Sequence, residues 1–300
     1  MSSMIHRRLL MAVLVSLAFA AFPGSTFADH SWGNPPYHWA RTSNPFTLKL
    51  GDNVSDTWDP YLDTAASEWS LPGVLSINKT LGNASNLRKC PPTSGRVEVC
   101  SYKYGTNGWL GVASIWISGK HITQSTVKMN DSYFDNSRYP KYDSAAWRNM
   151  VMCQEIGHTF GLDHQDVTFN NKNLGSCMDY TNYPEGCLQG SIDYGPKNEQ
   201  PGGELSKPGD TDYDELGIIY YSHNDTTTTV GQTVQSGPGK GKMPPAFTDT
   251  DSDEPVQLGT AQWGKLVRST NHGRTELFEL DLGGRRKVFT FVIWAEPEEE

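Results

Sequence analysis

No cysteine precedes Cys90, and the five cysteines include no C-x-x-C pair, so neither a cysteine-rich metal knuckle nor a dithiol redox motif is encoded. Basic excess is missing too. Lysine and arginine number 25 against 34 acidic residues, a net charge of -9, which points away from nucleic acid and anionic membranes as partners. Beyond the first 28 residues no stretch is long and apolar enough to span a bilayer.

The beginning of the chain carries a different signal. His6, Arg7 and Arg8 precede an apolar run over residues 9–22, and Thr26-Phe27-Ala28 offers small residues for cleavage before Asp29. This pattern predicts a secretory signal peptide over 1–28. The apolar core is about fourteen residues, short of the roughly 20 a membrane helix needs. A secreted protein with no membrane partner after processing is expected, and in an exported chain cysteines favour disulfides. The simplest local pairings are Cys90–Cys100 and Cys177–Cys187, each worth about 2.5–3 kcal/mol on the chain-entropy model; other pairings remain open. These leave Cys153 as an odd, buried thiol.

The informative stretch is Gln154-Glu155-Ile156-Gly157-His158-Thr159-Phe160-Gly161-Leu162-Asp163-His164. On a helix, positions i and i+4 lie within about 40° of each other, so Gln154 and His158 share a face. Glu155 lies roughly 60° to the other side of His158, placed to act on a water rather than to ligate a metal alongside its neighbours. Gly161 can adopt a left-handed conformation that ends the helix and returns His164 toward the same point. Cys153 points about 140° from His158, into the core behind the helix. His30, His38 and His121 sit apart, and no spacing singles one out as a ligand.

This stretch resembles the metzincin signature H-E-x-x-H-x-x-G-x-x-H, matched at Glu155, His158, Gly161 and His164, with Gln154 in place of the first histidine. Cys177-Met178-Asp179-Tyr180 is similar to the metzincin Met-turn, with Met178 beneath the metal and Tyr180 at the position of a tyrosine that can reach it. Residues 210–220 resemble the opening of the C-terminal helix of matrixin-type domains. The likeness spans roughly 46–223 and is sharp over 143–180. It implies a zinc endopeptidase with Zn2+ held by His158, His164 and Gln154, Glu155 as general base, Tyr180 as a further ligand or as hydrogen-bond donor to the tetrahedral intermediate, and a peptide or protein as substrate. An amide oxygen is a weaker zinc ligand than imidazole, so two outcomes stay open: an active or weakly active peptidase, or a pseudoprotease acting as an extracellular binding module. A monomer is expected. About sixteen residues separate the expected cleavage point from Pro45, too few for a folded pro-domain, and with no cysteine before Cys90 matrixin-type cysteine latency is not predicted.

The remaining pattern predicts an α+β fold: strands near 46–50, 75–78, 97–103, 113–117 and 126–129, a helix opening at Asp59-Pro60, and the signature helix capped by Asp143. By resemblance the sheet is mixed and twisted, with one edge strand lining the cleft to bind an extended peptide by strand addition. The domain reading is a catalytic unit over 29–223, a flexible linker over 224–255, and a small β-meander with acidic tail over 256–300, docked on the catalytic unit. Asp249, Asp251 and Asp253 resemble the start of a calcium loop, but Glu254 and Thr260 occupy the positions where glycine and glutamate are needed, so no motif supports calcium.

Overall fold

A computed structural model describes residues 31–33, 35–170, 176–184, 212–231, 262–270 and 273–296. The expected signal peptide, Cys187 and the acidic 249–260 stretch lie outside the described residues. The fold is mixed α+β: a nine-stranded sheet and few helices. The strands are β1 (His38–Trp39), β2 (Phe46–Asn53), β3 (Leu75–Leu81), β4 (Val97–Tyr102), β5 (Trp109–Ser118), β6 (His121–Asn130), β7 (Lys265–Thr270), β8 (Thr275–Gly283) and β9 (Arg286–Trp294). Helices are α1 (Asp59–Trp69), the short α2 (Asp131–Phe134), α3 (Ala145–His158) and α4 (Asp212–Tyr221).

The order across the sheet is β3-β2-β4-β6-β5-β9-β8-β7, with β1 beside the start of β6. Strands β3, β2, β4 and β6 run parallel; β5 returns antiparallel to β6, and β9, β8 and β7 follow as an antiparallel meander. Helix α1 begins with Pro60, whose fixed φ and missing N–H suit a first turn, and buries Leu62, Ala65, Ala66 and Trp69. Trp69 Nε1 donates to the Cys153 carbonyl (3.2 Å), joining α1 to α3 within the main core.

Four expectations change. The meander does dock, but by pairing β9 with β5 along its length, so β5 is an interior strand and offers no free edge. The sequence of β5, WLGVASIWIS, hints at this: nine of its ten residues are buried, leaving no polar face of the kind a one-sided edge strand keeps. Strand β9 is likewise buried on both faces, with Phe289, Phe291 and Ile293 in the main core and Val292 in a second cluster with Trp109 and Trp263.

The cap of α3 is Ser144, whose side chain accepts from Trp147 N, while Asp143 instead pairs with Arg148 (2.8 Å). The bridges are Cys90–Cys100, as expected, and Cys153–Cys177 in place of Cys177–Cys187. Helical phase does send Cys153 behind α3, but the Met178 loop passes there and brings Cys177 to it, with Cα atoms 5.8 Å apart. Residues 224–231, read as the start of a flexible linker, are tied down: Thr229 N donates to Ala40 O and Gly231 N to Gly95 O (both 2.8 Å).

The Cys153–Cys177 bridge spans 24 residues of sequence. Replacing both cysteines by alanine should cost about 3 kcal/mol by chain entropy, read as a lower denaturation midpoint at unchanged slope. An unchanged midpoint would show that the bridge does not form.

Candidate functional site

Helix α3 ends at His158, and the chain turns through Gly161, where φ is +100° and an added Cβ would stand 2.0 Å from the Tyr37 carbonyl oxygen. Glycine is required there on both counts. The turn brings His164 back onto the end of the helix, with its Nε2 3.2 Å from His158 Nε2. His158 Nδ1 donates to the Leu162 carbonyl (2.9 Å), so the neutral ring presents an Nε2 lone pair toward His164. Burial and the neighbouring His164 hold the His158 pKa well below the ordinary histidine range, keeping the ring neutral as a metal ligand must be.

Two donors on a tetrahedral zinc at about 2.0–2.1 Å stand about 3.3 Å apart, close to the separation of the two Nε2 atoms. Gln154 lies one helical turn before His158. Its Nε2 donates to the carbonyls of Cys177 (2.7 Å) and Asp179 (3.2 Å), and its Oε1 is buried with no hydrogen-bond partner among the described residues. An orphaned acceptor one turn from His158 fits a cation. Gln154→His should raise zinc affinity about 10–100-fold, measured by competition with a chromophoric chelator; no change would show that position 154 does not face the ion.

Beneath the histidines the Met178 loop approaches α3 at Gly157, where a Cβ would lie 2.5 Å from Met178 Sδ and 2.7 Å from Trp69. Asp212, the first residue of α4, secures that loop by accepting from Ser176 Oγ (2.8 Å) and Met178 N (3.4 Å). Burial pushes the Asp212 pKa up to about 8, against which those two hydrogen bonds act. A carboxyl whose folded pKa exceeds its unfolded value holds its proton better in the native state, so its stabilising contribution is lost as pH rises from about 4 to about 8, at up to about 1.4 kcal/mol per pH unit. Asp212→Asn should flatten that slope in denaturation curves at successive pH values; an unaltered slope would count against the assignment.

Glu155 lies on the side of α3 facing β5, where Gly111 makes room for it: a Cβ at 111 would fall 2.5 Å from Glu155 Oε1. Burial drives its pKa well above the carboxylate range, opposed in part by the backbone of Ala113. Tyr180 is also buried and near His164, with ring centroids 5.7 Å apart. Its hydroxyl donates to the Arg274 carbonyl (3.1 Å), and burial raises its pKa, so a phenolate ligand is not favoured in this state.

The sequence did not disclose what covers the site. Phe291 of β9 stacks on His158 with centroids 4.1 Å apart and planes 9° from parallel, and meets His164 edge-on at 5.7 Å. Trp32 packs on Phe291 (3.8 Å) from the other end of the chain. Arg268 forms a bidentate pair with Asp163, next to His164. A readable signal was present in the run Val288-Phe289-Thr290-Phe291-Val292-Ile293, apolar on both faces and therefore unsuited to a self-standing meander.

No protein-family model matches the chain. A stretch of 142 residues, 47% of the chain, is 30% identical to part of the trimeric autotransporter adhesin AtaA of Acinetobacter sp. (strain Tol 5). The match covers 4% of that adhesin's length.

Proposed function

We propose that this chain is a secreted, monomeric zinc endopeptidase of metzincin-like fold, with a cleft covered by its own C-terminal strand in the state described. The observation carrying this reading is the convergence of His158 and His164 Nε2 atoms at 3.2 Å, with Glu155 on the same helix and Met178 packed against Gly157 below. The parallel strands β2, β3, β4 and β6, with antiparallel β5 running past α3, support the metzincin-like assignment.

His158, His164 and the Gln154 oxygen would hold Zn2+, which when bound supplies Lewis acidity toward a peptide carbonyl and toward the attacking water. Glu155 would take a proton from the attacking water and pass it to the departing amine, a task suited to a carboxyl whose pKa burial pulls up. Tyr180, once released from Arg274, has a neutral hydroxyl to donate to the carbonyl oxygen. The edge of β5 now held by β9 is where an extended peptide substrate would add as a strand. The fit of β9 to that edge therefore supports both the peptide site and its closure.

The test is zinc content of the mature protein together with chelator-sensitive cleavage of an unfolded protein. Cleavage that is lost with the metal and restored by zinc is expected; a metal-free, inactive preparation would sink the reading. The replacement at Gln154, and the partial likeness to an adhesin, favour one alternative: a binding module on a protease fold, whose ligand binding would be indifferent to Glu155.

A further inference from the structure

At the junction of β1, β6 and the segment after α4, three imidazoles and one carboxylate meet. Strand β1 runs parallel to β6 with His38 opposite His121, and the chain leaving α4 adds His223 and Asp225. His121 Nε2 is 3.1 Å from Asp225 Oδ1. His38 Nε2 is 3.4 Å from that oxygen and 3.2 Å from Oδ2. His223 Nε2 is 3.2 Å from His38 Nε2 and 3.7 Å from Asp225 Oδ1.

For His38, His223 and Asp225 these separations are close to the edges of one tetrahedral coordination sphere, about 3.3 Å for donors held about 2.0–2.1 Å from zinc. Hydrogen bonding alone explains them less well, because three ring nitrogens crowd one carboxylate whose Oδ2 already accepts from Arg41 Nη1 (2.9 Å) and Arg41 N (3.3 Å). The ring of His38 is oriented for ligation: its Nδ1 donates to the Pro36 carbonyl (2.9 Å), leaving an Nε2 lone pair aimed at the cluster. Arg41 works against a cation by its charge, yet its Nη2 also donates to the carbonyls of Tyr220 and His223 while Nη1 engages Oδ2, so it also serves as the outer partner that orients the carboxylate.

We propose that His38, His223 and Asp225 form a second metal site for a divalent transition metal of the zinc class, with His121 hydrogen-bonded to the same carboxylate. Two imidazole nitrogens and one carboxylate oxygen suit zinc, with water to complete a four-coordinate shell. Side chains of His38 and Asp225 are 1% and 6% exposed, those of His121 and His223 26% and 33%, so an ion enters from the histidine side. Bound there, it would fasten β1 to the segment after α4. The proposal does not depend on the peptidase reading.

The experiment uses full-length mature protein carrying His158→Ala and His164→Ala, titrated with Co2+ alone. One cobalt per chain with the intense visible bands of a tetrahedral site is expected, together with a rise in Tm, both lost when His223→Ala is added. A folded protein that binds no cobalt, or that gives a pale six-coordinate spectrum unaffected by His223→Ala, overturns the proposal. Should the double variant fail to fold, His223→Ala in the otherwise native chain answers the same question. It is expected to lower metal content by one ion per chain, and an unchanged content overturns the site. If only the His158 and His164 ion is missing, the peptidase reading fails while this one stands.

Discussion

Glu155→Gln is expected to reduce peptide cleavage about 10²–10⁴-fold, the range lost when a positioned general base is removed. Zinc content should not change, because the carboxylate lies about 60° around the helix from His158 rather than on the ligand face. Folding should not suffer either: burial already raises the pKa of this side chain, so a neutral amide of the same shape removes a desolvation cost. Cleavage rate, bound zinc and Tm measured on one preparation separate the possibilities. Undiminished cleavage would remove Glu155 from the mechanism; a joint loss of zinc and activity would show that its role is to hold the metal site together.

Phe291→Ala combined with Arg268→Ala is expected to raise cleavage by about 10²-fold or more. Phe291 is 1% exposed and lies flat on His158, and truncating a buried phenylalanine costs about 3–5 kcal/mol. Since about 1.4 kcal/mol is a factor of ten, a loss of that size confined to the closed state raises the open population by about 10²–10³-fold. Removing Arg268 also breaks the pair to Asp163. The rate should be read at substrate concentrations far below saturation, beside hydrogen exchange of β5 amides. Phe134→Ala serves as control, since Phe134 is fully buried against Trp58 and touches neither histidine. If the double variant loses stability as the control does and gains no activity, the C-terminal strand is not a gate.

The elements were legible because local rules suffice for them. Pro60 opening a helix, the 3.6-residue spacing of Leu62, Ala65, Ala66 and Trp69, and the alternation of Phe46, Leu48 and Leu50 are properties of short windows. So was the placement of His158 and His164, since a helix followed by a left-handed glycine has few ways to go. Helical phase also placed Cys153 correctly behind the helix. What it could not supply was the neighbour, because which loop passes behind α3 depends on where residues far along the chain return.

By itself, then, the sequence determined the α+β class, the signature helix, the turn at Gly161 and the donors it brings together, all of which follow from backbone periodicity and steric limits within a few residues. Tertiary structure alone decided that Cys153 meets Cys177, that His38, His223 and Asp225 share one point, and that β9 closes the edge of β5 and lays Phe291 over His158. These are pairings between positions separated by up to about two hundred residues. Any apolar strand of suitable length satisfies the same local rules, and only burial of both faces and hydrogen bonding of both edges selects the partner.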